Sequence, residues 1–413
     1  MPPRPALLAS LCLPAFLSLS VTASAASPDP RRVHEAAVVL DTHFDTPANL
    51  GRPGWSILDR HDTARDDSQV DLPRMIEGGV DGGFFVVFTP QGARGAPGNA
   101  LARDHALYRV AEIREMVARH SDRFDLALTA DDPARILAAR KRFVFMSMEN
   151  GSPVAGDLSL MQAFYRLGVR MIGPVHFRNS DLADSATDTP EWGGLSPAGR
   201  SFVAEANRLG MVIDASHASD AALDQMIALS EAPLILSHSG CKDIFNHPRN
   251  VDDARLRALA AKGGVIQINA FSAYMVPTPR IPEREAALKD LANSLGVSRQ
   301  DMTDAQRKAF IEGRKAIDAR WPVPRANIDD FMKHMLHALA LVGSDHVGVS
   351  GDFDGGGGID GLNDVSDFPE ITRRLLAAGY SAADINKIWG GNALRVLKTS
   401  EAVRDRLQTQ KAD

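Results

Sequence analysis

Short apolar runs recur along the chain and alternate with longer stretches whose apolar residues are spaced three or four apart. Short runs rich in β-branched and aromatic residues are typical of buried strands, and the wider spacing is typical of amphipathic helices. The strand-like runs are residues 38–40, 83–88, 143–148, 169–175, 211–213, 234–236, 265–268 and 347–349. Strands that alternate with helices in this way predict an α/β fold, a parallel (β/α)8 TIM-type barrel, with an open doubly wound sheet as the alternative.

One stretch interrupts this alternation. Residues 276–330 are charged, flanked by prolines and helical in pattern, and they follow the seventh apolar run. We therefore expect a helical insertion after strand 7. A weaker apolar run at residues 124–128 is interpreted as an edge or linking piece rather than a barrel strand. Gly168 and Gly210 close helix-like stretches directly before a strand, which predicts two helix C-caps.

The composition is that of a globular protein with material for a large core. The chain has 413 residues, of which 44% are hydrophobic and 24% are charged. The formal net charge is −6, and the Lys and Arg residues are dispersed. A dispersed positive charge argues against a nucleic-acid-binding surface.

The N-terminus has the pattern of a secretory signal. Arg4 precedes an apolar stretch that contains Pro14, and Ala23-Ser24-Ala25 fits a small-x-small cleavage site. We expect residues 1–25 to be removed and residues 26–413 to form a single barrel domain, exported to the periplasm or secreted, without a membrane anchor. Cys241 would then be the only cysteine of the mature chain, so no internal disulfide is expected.

Imidazole and carboxylate side chains follow most of the predicted strands. The first run leads into the sequence LDTHFDT, in which residues at alternate positions point to the same side of an extended chain. In a barrel of this kind the C-terminal ends of the strands meet at a common mouth, where functional residues lie. The strand-end residues are His43, Asp45, Glu149, His176, His217, His238, Asp352 and Asp354.

Together these residues predict a metal centre. Any one of them alone would more often be a hydrogen-bonded core or loop residue. Several buried carboxylates and imidazoles in one place are costly unless a cation compensates the acids. Imidazole and carboxylate ligands without a thiolate suit Zn²⁺ or a similar first-row ion, whereas Ca²⁺ and Mg²⁺ prefer oxygen ligands. More than four candidate ligands indicate two ions that share a carboxylate and a water.

Eight motifs also occur in a fixed order along the chain: LDTHFDT, VDLPRMIEGGVDGGFF, SMENG, GGLSPAGR, LGMVIDASH, LILSHS, HPRNVDD and SGDFDG. In combination they resemble the membrane (renal-type) dipeptidases of the amidohydrolase superfamily. The resemblance extends from about Val38 to about Leu397. It implies a binuclear-zinc enzyme that hydrolyses the peptide bond of dipeptides through a hydroxide held between the two metals.

The resemblance assigns metal ligands residue by residue. His43 and Asp45 match the pair that holds the first metal of the family, and His217 and His238 match the two histidines of the second metal. Glu149 matches the bridging glutamate. Two Zn²⁺ per chain are therefore implied, and other divalent first-row metals would suit the same ligands.

Four further residues would act on the substrate. Asp352 matches the family's proton shuttle beside the hydroxide, and His176 matches a substrate-side histidine that would stabilise the oxyanion. Arg249 matches the arginine that pairs with the C-terminal carboxylate of the substrate, and Tyr274 lies near the same subsite. Family members accept a C-terminal D-residue, and some open β-lactam rings, which we expect here only as a side activity. A homodimer is implied by the resemblance alone.

The sequence also departs from the family in several places. Mammalian members have disulfides and a lipid anchor, and the expected absence of both favours an exported bacterial-type enzyme. Residues 276–330, and Asn150-Gly151 in place of the family's glycine pair, leave the substrate preference open because loops over the mouth determine specificity.

Three alternative functions remain. A related amidohydrolase acting on N-acyl amino acids or another amide would keep the metals but would not need Arg249. A metal-dependent phosphoesterase would need several cationic contacts at the mouth, where the sequence offers mainly Arg178 and Arg249. A non-catalytic binding protein would be indicated by the loss of a ligand, but each expected ligand is present.

Overall fold

The computed structural model describes residue 1 and residues 28–297 and 302–410. The expected signal sequence, apart from Met1, lies outside the described residues and stays a prediction. Within the described ranges the strands are β1 (Leu40–Phe44), β2 (Gly82–Phe88), β3 (Phe124–Leu126), β4 (Arg142–Glu149), β5 (Val169–Ile172), β6 (Val212–Ile213), β7 (Ile235–Cys241), β8 (Asn250–Val251), β9 (Val265–Asn269) and β10 (Val347–Ser350).

Eight of these strands form a parallel barrel. Two hydrogen-bonded sheets supply them, in the orders β1-β2-β4-β5-β6 and β7-β9-β10. An isolated parallel bridge between Asp214 and Ile235 joins β6 to β7, and another between Phe44 and Phe353 joins the end of β10 to β1. We call these joints the β6–β7 seam and the β10–β1 seam. The predicted (β/α)8 barrel is thereby confirmed in place of the open sheet.

The two remaining strands lie beside the ring. β3 pairs in parallel with β4, and β8 pairs with the last residues of β7. The weak apolar run at residues 124–128 is therefore an edge strand, as the sequence indicates. β1 begins at Leu40 and continues to Phe44, later than its apolar run, so His43 belongs to the strand itself.

Helices follow the strands around the barrel. They are α1 (Pro30–Ala36), α2 (Pro47–Leu50), α3 (Thr63–Asp66), α4 (Leu72–Glu77), α5 (Ala96–Arg119), α6 (Asp132–Ala138), α7 (Ser152–Ala155), α8 (Leu160–Leu167), α9 (Pro197–Leu209), α10 (Asp220–Leu229), α11 (Asp253–Ala261), α12 (Pro282–Leu295), α13 (Asp304–Arg320), α14 (Ile328–Val342), α15 (Phe368–Ala377), α16 (Ala382–Asn386) and α17 (Asn392–Thr409). Short 3-10 helices cover Ser272–Tyr274, Ser344–His346 and Val365–Asp367, and a π-helical turn covers Lys387–Gly391. None of the helices in residues 28–297 and 302–410 combines the length and the apolar character needed to cross a bilayer.

Local sequence signals set several helix ends. Gly168 and Gly210 follow α8 and α9 in the left-handed conformation, with φ of 112° and 72°, so both predicted C-caps are confirmed. At the N-termini of α9 and α10, the side chains of Ser196 and Ser219 accept backbone N–H groups of the first turn. Such caps satisfy backbone groups that have no partner within the helix.

The interior of the barrel changes from apolar to polar along the strands. Its N-terminal half is filled by buried apolar side chains from seven strands and is closed by Val396 and Leu397 of α17. Along β4, Phe143 and Phe145 belong to this apolar cluster, and Glu149 follows on the same face because side chains alternate along a strand. The polar C-terminal end of the barrel therefore rests on a packed apolar layer.

The described part of the interrupting segment contains two helices joined to the barrel by non-helical stretches. α12 and α13 lie between β9, the seventh strand of the barrel, and β10. α13 packs against α3: Lys315 Nζ donates to the backbone oxygen of Ala64 at 3.1 Å, and Arg314 Nη1 lies 3.9 Å from Asp67 Oδ2. These contacts attach the insertion to the connection after β1, at the mouth of the barrel.

Candidate metal centre

The residues assigned from the sequence meet at the C-terminal mouth of the barrel. Those that line a common cavity of about 250 Å³ are His43, Asp45, Glu149, His176, His217, His238, Tyr274, Asp352 and Asp354. They come from β1, β4 and β7 and from the segments that follow β1, β5, β6, β9 and β10. Residues more than 300 positions apart in the sequence are thereby brought to one place by the closure of the barrel.

Glu149, the last residue of β4, lies at the centre of this cluster. Its Oε1 atom is 3.0 Å from His217 Nε2, 3.4 Å from His238 Nε2 and 3.7 Å from His176 Nε2. Its Oε2 atom is 3.6 Å from His43 Nε2. The two oxygens of one buried carboxylate thus face different histidines, which is the arrangement expected of a carboxylate that bridges two cations.

The β10–β1 seam contributes a histidine and two carboxylates. His43 Nε2 lies 3.3 Å from Asp45 Oδ2. Asp352, which follows β10, completes a group whose ligand atoms all lie within 4.8 Å of one another. The His-x-Asp pair at the end of β1 therefore does aim at one point, and the seam adds a third polar group to it.

The β6–β7 seam contributes two imidazoles. The Nε2 atoms of His217 and His238 are 2.9 Å apart, so both rings point to the same place. Ser237 Oγ lies 2.8 Å from His238 Nδ1 and donates to Asp214 Oδ2 at 2.5 Å. Because the hydroxyl donates to the carboxylate, it accepts from Nδ1–H of His238. The lone pair of His238 Nε2 is then directed at the cluster, as a metal ligand requires.

The donor set fits a divalent transition metal. The overlapping groups with ligand atoms within 4.8 Å are His43, Glu149 and His238; Glu149, His176 and His217; and His43, Asp45 and Asp352. Their atoms are imidazole nitrogens and carboxylate oxygens, the ligands that suit zinc and its first-row neighbours. His176, which the resemblance places on the substrate side, lies within this ligand distance as well.

Burial and charge set the protonation states of the central groups. Burial alone would raise the pKa of Glu149, but His176 and His43 lower that pKa well below its usual value. Burial lowers the pKa of His217 well below its usual value and the pKa of His238 to about 3. The carboxylate is therefore ionised and these two imidazoles are neutral, which are the forms that bind metal.

The pKa values of His43 and Asp352 are raised, whereas those of Glu149, His217 and His238 are lowered. Burial would lower the pKa of His43, but Glu149 and Asp45 raise it well above its usual value, so the cluster stabilises a positive charge at this point. Burial raises the pKa of Asp352 to about 7, and Asn269 Nδ2 donates to its Oδ2 atom at 3.0 Å. A positive charge next to buried carboxylates is what a metal ion would supply.

Arg249 and Tyr274 lie together beside the cluster. Arg249 Nη2 donates to the backbone oxygen of His238 at 3.0 Å, and its guanidinium carbon is 5.2 Å from the centre of the Tyr274 ring. Tyr274 lines the cavity, whereas Arg249 is only 2% exposed and is not among the lining residues. Burial raises the pKa of Tyr274 to about 12, which keeps its hydroxyl protonated.

Sequence reasoning missed the other residues of the cavity wall. These are Ala48, Asn49, Asp67, Phe88, Phe177, Phe271, Arg307 and Gly355. Phe88 ends β2 and Phe177 follows His176, so both lie near predicted strand ends. A phenylalanine has no atom that can bind a metal, so neither is predicted as a ligand. Arg307 lies in α13 and is 4% exposed, and nothing in its local pattern marks it as part of the site.

Two buried aspartates join strands across the seams. Asp41 accepts the backbone N–H of His43 at 2.8 Å and that of Gly351 at 2.7 Å, which ties β1 to the end of β10. Asp214 accepts the backbone N–H of Ser237 at 3.0 Å in addition to its hydroxyl, which ties β6 to β7. Each seam therefore has a carboxylate where a continuous strand ladder is missing.

Left-handed backbone conformations occur at the strand ends around the site. Asn150, His217, Asp352 and Asp354 have φ of 72°, 67°, 51° and 67°. Non-glycine residues rarely adopt this conformation, and asparagine and aspartate tolerate it best. Asn150 stands where the resemblance has a glycine, and its Nδ2 donates to the backbone oxygen of Thr89 at 2.9 Å, so this departure preserves the turn.

Cys241 lies apart from the cluster. It is buried, and burial raises the pKa of its thiol to about 12. Its backbone N–H donates to His334 Nδ1 at 2.9 Å. A thiol held protonated in this way is neither a ligand nor a nucleophile.

Comparison with known sequences gives a consistent result. A family model described as membrane dipeptidase (peptidase family M19) matches residues 29–411. The dipeptidase tcpJ of Claviceps purpurea is 31% identical over 357 residues, which cover 84% of this chain and 73% of the relative. Dipeptidase 3 of Macaca fascicularis is 27% identical over 379 residues, covering 90% of this chain and 67% of the relative.

Solved structures share the fold. PvdM of Pseudomonas aeruginosa, described as a probable dipeptidase, has a TM-score of 0.76 and 30% identity, covering 91% of this chain and 98% of PvdM. A metallopeptidase of Rhodobacter sphaeroides, solved with a phosphinate mimic of the dipeptide L-Ala-D-Ala, has a TM-score of 0.69 and 25% identity. That match covers 88% of this chain and 99% of the other.

Proposed function

The chain belongs to the membrane dipeptidase family, peptidase family M19, and is a metal-dependent dipeptidase; on this premise we propose that it hydrolyses free dipeptides, including those with a C-terminal D-residue, with the help of two zinc ions. The observation that carries the proposal is the position of Glu149, whose two carboxylate oxygens face different histidines. Other divalent first-row ions would suit the same donors.

We assign the ligands to two sets that share Glu149. His43 and Asp45 would hold one ion, and His217 and His238 would hold the other. When bound, two such ions lower the pKa of a water molecule and polarise the scissile carbonyl group. The ionised Glu149 and the neutral His217 and His238 support this assignment because no proton has to leave these groups before metal binds.

Asp352 and His176 are the proposed groups that act on the reacting atoms. Asp352 is fixed by Asn269 and lies beside His43 and Asp45. From there it would take a proton from the attacking water and pass it to the leaving amine nitrogen. His176 lines the cavity, and burial lowers its pKa, so its neutral ring would donate an N–H hydrogen bond to the developing oxyanion.

Arg249 and Tyr274 are the proposed subsite for the terminal carboxylate of the substrate. Tyr274 lines the cavity and its hydroxyl is protonated, and the buried guanidinium of Arg249 lies next to its ring. A buried cation acts strongly on a nearby anion because the local dielectric is low. This subsite would favour free dipeptides over longer or amidated peptides.

Further parts of the proposal have separate support. The dipeptide mimic in the 25% identical Rhodobacter sphaeroides structure supports a C-terminal D-residue by analogy. The N-terminal sequence pattern supports export to the periplasm or secretion. A homodimer is proposed from the family resemblance alone.

A small substrate panel tests the function. It contains an L,L-dipeptide, an L,D-dipeptide, the L,D-dipeptide with an amidated C-terminus and an N-acetyl amino acid, each with zinc-loaded and with chelator-treated enzyme. We expect cleavage of both free dipeptides, loss of activity on chelation, two zinc ions per chain by elemental analysis, and at least about 10-fold lower kcat/KM for the amidated peptide. Preference for the N-acetyl compound, or indifference to amidation, would contradict the dipeptidase proposal and favour another amide.

A further inference from the structure

A second cavity adjoins the catalytic one. Its volume is about 580 Å³, more than twice the 250 Å³ of the catalytic cavity, and it lies between residues 52–66 and α13. Arg307 of α13 lines both cavities. We call the second cavity the α13 groove, and it extends the catalytic cavity past Arg307.

One face of α13 forms a wall of this groove. Arg307, Ile311 and Lys315 follow one another at a spacing of four residues, which places them on the same side of the helix. Lys315 Nζ donates to the backbone oxygen of Ala64 in the opposite wall at 3.1 Å. This contact links the two walls, and Arg307 lies where they meet the catalytic cavity.

The groove offers an anion a cationic end and a flat aromatic surface. Arg307 is 4% exposed, and a cation with so little water around it attracts a neighbouring anion more strongly than one at the surface. The rings of Trp55 and His61 are stacked 4.8 Å apart along the groove and provide a surface for an aliphatic stem. Six cationic side chains and four carboxylates line it; the cations are Arg52, Arg60, Arg65, Arg307, Lys308 and Lys315.

The groove and the proposed carboxylate subsite are formed by different parts of the barrel mouth. Arg249 is hydrogen-bonded to the backbone of β7, whereas the groove is formed by the connection that follows β1. Around the barrel, β7 is the third strand from β1, by way of β10 and β9. A dipeptide with its carboxylate at Arg249 and its peptide bond at Glu149 would therefore direct its N-terminal residue toward the groove.

We propose that the α13 groove is the subsite for the side chain of the N-terminal residue and that Arg307 selects substrates in which this side chain is acidic. The inference rests on the proposed dipeptidase function and adds to it a specificity-determining residue from the insertion. The substrate class is dipeptides with an N-terminal glutamate or aspartate. The carboxylate of that side chain would accept hydrogen bonds from the guanidinium of Arg307.

Three dipeptides with the same C-terminal alanine test this inference on the zinc-loaded, full-length enzyme. Their N-terminal residues are glutamate, its neutral isostere glutamine, and lysine. For the wild type we expect kcat/KM to be about 10-fold higher with glutamate than with glutamine, as one charge-assisted hydrogen bond supplies, and lowest with lysine. Cleavage of all three peptides without a preference for glutamate would overturn the inference alone, whereas cleavage of none would overturn the dipeptidase function on which it rests.

Variants of α13 then assign the preference to one residue. Arg307→Met should bring the glutamate-to-glutamine ratio of kcat/KM close to one, mainly through a lower value with glutamate, and Arg307→Lys should restore part of the ratio. The matched control is Arg320→Met, which removes a positive charge from the same helix at a residue that lies over the Trp321 ring, 4.4 Å from its centre. An unchanged ratio in Arg307→Met, or an equal change in Arg320→Met, would contradict the role of Arg307.

Discussion

The two seams of the barrel are built alike, but one positions only the backbone of the site and the other also positions a side chain. At each seam an isolated bridge replaces a continuous ladder, and a buried aspartate accepts hydrogen bonds across the joint. Asp41 accepts backbone N–H groups of His43 and Gly351, whereas Asp214 reaches the ring of the candidate ligand His238 through the hydroxyl of Ser237. The β10–β1 seam therefore fixes the backbone from which the candidate ligand His43 projects, and the β6–β7 seam also fixes the ring of the candidate ligand His238.

This difference separates two tasks that buried carboxylates perform. A carboxylate that holds backbone groups contributes mainly to the stability of the fold, because the N–H groups would otherwise be buried without a partner. A carboxylate that orients the second nitrogen of a ligating histidine contributes mainly to metal affinity. Mutation of single residues can show whether the two tasks are separable.

The largest effect is expected at Glu149, whose carboxylate faces histidines that both seams contribute. Glu149→Gln removes the charge that faces the histidines of both seams, so kcat/KM should fall about 1000-fold or more, because metal-ion catalysis supplies several kcal/mol. Zinc content should fall in parallel, as measured by elemental analysis after dialysis. Glu35→Gln, at an exposed residue paired with Arg31, is the control and should change neither quantity. Activity within 10-fold of the wild type would contradict a central role of Glu149.

The next effect is a pH dependence of stability that comes from His334, which contacts the end of β7. His334 accepts the backbone N–H of Cys241 at the end of β7, and burial lowers its pKa from 6.5 to about 4. The folded state thus favours the neutral ring. This contribution to the free energy of unfolding is complete above pH 6.5 and is lost as the pH falls toward 4, a loss of about 3 kcal/mol.

Urea unfolding of zinc-free protein between pH 4 and 7 measures this contribution. His334→Gln, which cannot titrate, should be less stable at pH 7 and should lose less stability on acidification than the wild type. His120→Gln, remote from β7, should keep the wild-type slope. If the free energy of unfolding changes with pH equally in the wild type and in His334→Gln, the neutral ring of His334 does not stabilise the fold as proposed.

The smallest effects are expected for the seam aspartates themselves, and their contrast is the direct test. Asp214→Asn should weaken zinc binding about 10- to 100-fold, because the ring of His238 loses the group that orients it. Asp41→Asn should leave zinc affinity within a few-fold but lower the free energy of unfolding by about 1–3 kcal/mol, since an amide cannot accept both N–H groups as well as a carboxylate does.

Zinc competition titrations and urea unfolding, applied to both variants, give the two quantities. The comparison of the seams holds if Asp214→Asn weakens zinc binding in addition to any loss of stability, whereas Asp41→Asn lowers stability and leaves zinc binding within a few-fold. Equal changes in zinc affinity and in the free energy of unfolding in both variants would show that the hydrogen bond between Ser237 and His238 does not contribute to zinc binding.

The barrel and the strand-end ligands are predictable because both depend on local patterns. An apolar run followed by an imidazole or a carboxylate marks the C-terminal end of a strand, and barrel closure then brings these ends together. His43, Glu149 and His238 could be found in this way, without knowing which strands are neighbours. The left-handed turn at Asn150 was visible only as a departure from the family's glycine, and the structure gives its physical reason.

Other features depend on partners that no local pattern reveals. Asp41 stands in a conspicuous motif, but its role comes from Gly351, 310 residues away in the sequence. α13 could be predicted as a helix, but which of its residues reaches the cavity depends on how it packs against α3. The resemblance assigns a role to Arg249 but not the burial that separates it from the cavity wall.

The left-handed residues at the strand ends also bear on how such an enzyme can diversify. Asn150, His217 and Asp352 each turn the chain at a candidate ligand or proton carrier, or directly after one. The reacting group thereby belongs to the barrel, and the loop starts immediately beyond it. Loops of different length and composition can be exchanged at these joints without displacing the group. The loops at the mouth can therefore change the substrate range in evolution, while the strand-end residues keep the chemistry the same.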